Sequence, residues 1–139
     1  MNNNQKGVNL VSVIISIIVI GVIIGGGFLL LNNERSKTRD AKRLSDITRI
    51  QAAFEFLYND TASYELAAIT GCDVVGSTVD TCNLKQYMPS IVNMKDPGKF
   101  SYVVNVVPDE ETYTIVFRLE NSYNNYASGA HTLTPVGIR

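Results

Sequence analysis

The sequence predicts an α+β chain: one long N-terminal α-helix, apolar in its first half, packs through its second half on a small antiparallel β-sheet. Three observations carry this. An uncharged run extends from Val8 to Leu31, and no proline interrupts it or the segment that follows as far as Tyr58. Apolar residues recur at spacings of three and four from Leu44 to Leu57. Two segments between Phe100 and Leu119 are rich in β-branched and aromatic residues.

The apolar run comes first. Leu10 to Leu31 spans about 22 residues, which at about 1.5 Å of rise each covers roughly 33 Å, enough to cross the hydrocarbon core of a bilayer. Only Asn9, Ser12 and Ser16 are polar, so the helix is greasy around its whole circumference and needs lipid, or other helices like itself, on every side. A secretory signal has a shorter apolar core followed by a small-residue cleavage site. No Ala-x-Ala-like site follows Leu31, and the helix is expected to be retained. Inside it, Gly25, Gly26 and Gly27 each cost about 1 kcal/mol relative to alanine, a local weak point of roughly 2–3 kcal/mol. The helix is expected to bend or lose hydrogen bonds there once lipid gives way to packed neighbours; close packing of helices through these small residues is the alternative.

Residues 32–58 continue as an amphipathic helix. Leu44, Ile47, Ile50, Phe54 and Leu57 form one apolar stripe, which reads as core with no cofactor role. Among the charges after the run, Arg35, Lys37, Arg39, Lys42 and Arg43 are interspersed with Glu34, Asp40 and Asp46. Asp46 stands four residues after Lys42 and three after Arg43, so the cluster is expected to form exposed helix-surface pairs worth tenths of a kcal/mol.

Helical periodicity ends near Asn59, where small and polar residues take over, and 59–99 reads as a loop region. From 100 to 139 the pattern is that of an antiparallel sheet. Phe100–Val107 and Thr112–Leu119, joined through Pro108-Asp109-Glu110-Glu111, make a hairpin; Thr132–Thr134 adds a short strand after the polar loop Asn121–Gly129. In the second strand Tyr113, Ile115, Phe117 and Leu119 alternate with Thr112, Thr114, Val116 and Arg118, so the first set is expected to face the helix stripe. A hairpin alone is marginal in water, and the helix is needed to cover it. The soluble part is then a single domain of about 100 residues.

Composition narrows the function. The 139 residues carry a net charge of −1, and the 45% hydrophobic content is inflated by the apolar run. Such a chain lacks the broad cationic surface that phosphate neutralisation needs, so nucleic acid is not an expected partner; Lys95 and Lys99 are the local cations that a DNA contact would use. Asn59-Asp60-Thr61 matches a glycosylation triplet, a pattern common by chance. Asp109, Glu110 and Glu111 read as a solvated turn or, less simply, a calcium site. No P-loop, catalytic triad or metal-ligand spacing occurs, and no repeat. An enzyme is not expected, and no cofactor is called for.

Lys6-Gly7 ahead of Val8, followed by an apolar helix with Gly21, resembles the class III leader of type IV pilins and type II secretion pseudopilins. The stretch from Arg39-Asp40-Ala41-Lys42-Arg43 to Phe54-Glu55-Phe56-Leu57-Tyr58-Asn59-Asp60-Thr61-Ala62-Ser63-Tyr64 is similar to the helix end and following loop of many bacterial pilins. The resemblance implies a pilin-like fold and a leader of residues 1–7. Prepilin peptidase would cut between Gly7 and Val8, and Val8 would then be N-methylated. Residues 8–31 become the transmembrane and filament-core helix. The implied partners are copies of the chain or other pilins in a helical filament, the peptidase, and a membrane platform with an assembly ATPase. The chain would be stored as a single span in the cytoplasmic membrane with its domain outside the cytoplasm, and used at the cell surface or in the periplasm for adhesion, motility, DNA uptake or secretion.

Three positions depart from the family pattern. The fifth residue of the mature chain, usually Glu, is Ser12, which cannot supply a buried carboxylate to pair with a neighbour's terminal amine. Some minor subunits that cap or initiate filaments also lack this Glu. Asn9 stands for the usual Thr, and Leu29 for a helix proline. A positive-inside count, with only Lys6 and the amine before the span, would leave the domain in the cytoplasm, whereas the leader resemblance implies the reverse. In an exported domain, Cys72 and Cys82 are expected to form a disulfide closing a loop of about ten residues. A zinc site would want four ligands, and the single His131 lies far off in sequence. The rival to a filament subunit is a monomeric membrane-anchored exported domain that binds a ligand or partner.

Overall fold

The computed structural model describes residues 9–139, without the side chains of 28–31. The expected cleavage and methylation positions, Gly7 and Val8, lie outside the described residues, as does the side chain of Leu29. One long helix and a four-stranded antiparallel sheet make up the regular structure, an α+β layout. Helix α1 is Leu10–Thr61, and the chain divides into two units, Met1–Arg35 and Ser36–Arg139.

In the first unit, Asn9 caps the helix: its side-chain oxygen accepts the N–H of Val11 at 3.1 Å, satisfying one of the orphan donors of the first turn. Ser16 turns its hydroxyl back onto the carbonyl of Ser12 at 2.8 Å, so that group is satisfied within the helix. Every large apolar side chain from Leu10 to Ile24 is between 40% and 74% exposed. Gly25, Gly26 and Gly27 are helical, and a methyl group added at any of them would meet nothing within 4 Å.

The second unit holds the rest of α1 and the sheet. The helix runs three residues beyond the expected end at Tyr58. The Thr61 hydroxyl bonds the Leu57 carbonyl, and Ala62, at φ 54°, then turns the chain out of the helix. Segment 59–99 is not simple loop. It contains 3-10 turns at Glu65–Ala67, Val79–Thr81 and Pro89–Asn93. The sheet follows as β1 (Val103–Val106), β2 (Thr114–Leu119), β3 (Gly129–Thr134) and β4 (Gly137–Ile138), hydrogen-bonded in that order. Val103 pairs with Val116 and Val104 with Ile115, after which a bulge skips Asn105 and sets Val106 opposite Thr114. The outer edge of β1 is covered: Gly76 and Ser77 exchange backbone hydrogen bonds with Val104, and Val79 donates to Tyr102.

Helix and sheet share one core. Leu44, Ile47, Ile50, Phe54 and Leu57 are buried together with Tyr113, Ile115, Phe117, Leu119, Val104 and Leu133. Phe54 stacks on Tyr113 with ring centroids 3.9 Å apart, and Tyr64 meets both rings edge-on. Each large aliphatic or aromatic side chain buried here contributes about 1.5–3 kcal/mol. The Tyr113 hydroxyl is the buried side-chain polar atom without a hydrogen-bond partner among the described residues.

Candidate functional site

Four residues before Ile47 and Leu44 on the apolar stripe stand Arg43 and Asp40, and both are fully buried. The expectation of exposed pairing with Asp46 fails for Arg43. Its guanidinium forks onto Asp96, with Nε to Oδ2 at 2.5 Å and Nη2 to Oδ1 at 2.9 Å, and its Nη1 reaches both Asp40 and Glu120 at 2.7 Å. Arg39 holds Glu120 from a second side. Asp40 in turn accepts the backbone N–H groups of Glu120 and Asn121 and the Asn121 amide. The cluster ties the helix to the segment before β1 and to the end of β2. A buried charge is tolerated only when paired and hydrogen-bonded, and only arginine offers the planar fork that meets three carboxylates at once. Gly98 leaves the room: a methyl group there would stand 2.8 Å from Arg43 Nη2.

The pairing sets the ionisation. Hydrogen bonds from Arg39, followed by those from Arg43, outweigh burial and hold the Glu120 carboxyl at about 2. Burial alone would push Asp40 up, but the N–H groups of Glu120 and Asn121 and the Arg43 guanidinium prevail, and it lies below the usual carboxylate range. Asp96 is lowered in the same way, burial being overcome by Arg43 and by the N–H groups of Gly98 and Phe100. Hydrogen bonding to Asp96 raises Arg43 still further above the ordinary arginine value. All members are therefore charged near neutrality. Saturated in this way, the cluster is built to hold the domain together and offers no poised acid or base.

Lys42 does pair with Asp46, at 3.1 Å, from an exposed position. Asp46 itself is buried and also accepts the Tyr102 hydroxyl at 3.1 Å. Cys72 and Cys82 form a disulfide whose sulfurs lie inside the core. Gly71 passes so close to the Thr81 carbonyl that any side chain would overlap it. The Asp109–Glu111 turn is knotted by Asp109 Oδ1, which accepts the N–H groups of Glu111 at 2.9 Å and Thr112 at 2.7 Å. Lys95 and Lys99 line separate hollows. Lys99 shares its hollow with Phe100, Arg118 and Glu120, a grouping that strand alternation hinted at by turning Arg118 outward. His131 lies with Nε2 2.7 Å from the Ala127 carbonyl and packs against Phe117 and Tyr126. The Asn59-Asp60-Thr61 triplet occupies the last turn of α1. Among the described residues no three His, Cys, Asp or Glu side chains gather as a metal set.

The other candidate surface is the apolar helix of the first unit. By length and composition it could cross a membrane, and among the described residues it is the one helix that could. No family model matches the sequence, and neither the curated proteins nor the solved structures include a match to it.

Proposed function

We propose that this chain is a structural subunit of a type IV pilus or a type II secretion-like pseudopilus, stored in the membrane and polymerised through its N-terminal helix. The observation that carries the reading is the contrast between the two units. The second closes a complete core of its own, whereas the first leaves every large apolar side chain from Leu10 to Ile24 exposed. Such a surface needs lipid or equivalent helices around it, and a filament subunit uses both in turn. Leaving lipid for a bundle gains nothing from the hydrophobic effect, so packing and an external ATPase must drive the exchange. The Gly25-Gly26-Gly27 triplet suits that role, since it lets backbones approach closely or bend. In this account the leader stays in the cytoplasm, prepilin peptidase cuts after Gly7, and the second unit decorates the outside of the filament.

Co-expression with a prepilin peptidase tests the proposal. The expected result is loss of Met1–Gly7 with methylation of Val8. An unchanged N-terminus in the presence of active peptidase overturns it and leaves a monomeric anchored domain as the reading.

A further inference from the structure

The second unit carries two oppositely charged surfaces that cannot meet within one chain. At the tip of the β1–β2 hairpin, Glu110 and Glu111 are exposed and make no ion pair among the described residues, while Asp109 spends its side chain on fixing the turn. At the open end of the same hairpin lies a groove of about 380 Å³ where Lys99 and Arg118 flank Phe100. Both cations are exposed and neither makes an ion pair among the described residues. Glu120 also lines the groove, but Arg39 and Arg43 already neutralise it. Two guanidiniums stand over the Phe100 ring, that of Arg43 at 5.0 Å from its centroid and that of Arg118 at 5.5 Å, and these contacts help to hold the groove floor in place. Between the two surfaces runs β2, six residues or roughly 20 Å of extended chain.

We propose that the acidic hairpin tip, Glu110 and Glu111, docks into the Lys99–Phe100–Arg118 groove of a second copy of this chain. The inference rests on the filament reading and names the contact between its domains. Because one end of a hairpin meets the opposite end of the next, the contact is heterologous. Such contacts propagate as an open array wherever the rotation between copies does not close a ring, which is what a filament requires. The tip is suited to docking because the Asp109 side chain fixes the turn from within, and little order is left to be gained on binding. Complementary charge of this kind sets register more than it supplies affinity.

The test uses the full chain in sheared fibres and in the membranes that carry it, treated with a carbodiimide that joins an amine and a carboxylate in direct contact. Within one copy Lys99 and the hairpin tip are too far apart, so a link between Lys99 and Glu110 or Glu111 must join two copies. The expected result is that linked peptide, identified by mass spectrometry. Arg118→Glu leaves the reacting groups in place and is expected to lower the yield roughly fivefold, as is raising the salt. Reversing all four charges in one chain, with Lys99→Glu, Arg118→Glu, Glu110→Lys and Glu111→Lys, is expected to restore copy-to-copy linkage between the same positions. Absence of the link in the unaltered chain, or a yield indifferent to Arg118→Glu, overturns the contact. A chain that loses its leader and enters fibres without the link removes this contact alone. A chain that gives the link yet keeps its leader beside active peptidase retains the contact and removes the filament reading.

Discussion

Arg43→Met is the sharpest probe of how the second unit is held together. The substitution keeps most of the side-chain volume and removes the guanidinium that makes four charge-assisted hydrogen bonds to three carboxylates. Asp40 keeps its backbone partners, and Glu120 keeps Arg39, but Asp96 loses its counter-charge while buried. Breaking a buried ion pair from one side costs about 3–5 kcal/mol, because the remaining charge stays desolvated. For a domain of about 100 residues each kcal/mol shifts the melting temperature by about 4–8 °C, so the midpoint should fall by roughly 12–40 °C. Seven tyrosines and no tryptophan make near-ultraviolet circular dichroism of the full chain in mild detergent a suitable readout. Arg43→Lys keeps the charge without the fork and should lie between the two. A loss below about 1 kcal/mol, the value of an exposed pair, would refute the reasoning and return Arg43 to the surface role that its spacing from Asp46 first implied.

The same cluster fixes the response to acid. Asp40, Asp96 and Glu120 all lie lower in the folded chain than their ordinary values of 3.8, 3.8 and 4.5, so their contribution is complete above those values and is lost as pH falls below them, for Glu120 through about 2. Melting temperature measured from pH 6 downward should be flat at first and then drop below about pH 4.5, and a flat profile to pH 2 would contradict this. Tyr113→Phe removes a buried hydroxyl that has no partner and leaves the stack on Phe54 intact; it should be neutral or stabilising by about 1 kcal/mol in urea titration, and a clear loss would reveal a partner for that oxygen. Reducing Cys72–Cys82, or replacing both cysteines with serine, should cost about 2–3 kcal/mol by thermal unfolding under matched conditions.

Legibility followed the range of the interactions. Leu44, Ile47, Ile50, Phe54 and Leu57 were readable because helical spacing is local, and the alternation of Tyr113, Ile115, Phe117 and Leu119 because strand spacing is. Arg43 was not readable as core. Its first partner is three residues away, but Asp96 and Glu120 lie 53 and 77 residues away, and no local pattern joins them. One signal did exist: carrying the stripe back by its own period lands on Asp40 and Arg43, polar residues at positions where the helix already faces the core. The 3-10 turns within 59–99 escaped for a different reason: each runs only three to five residues, too short for a hydrophobic period to show. The groove beside Phe100 joins residues from either side of the hairpin and becomes visible only when β1 and β2 are in register.

The central claim is that an apolar helix, first surrounded by lipid and then by its own kind, converts a small folded domain into a polymer. Intact-mass analysis of the chain recovered from sheared surface fibres tests it most directly. The account predicts that the chain is present there and begins at N-methylated Val8; fibres that lack it, or material that still carries Met1–Gly7, would contradict the account.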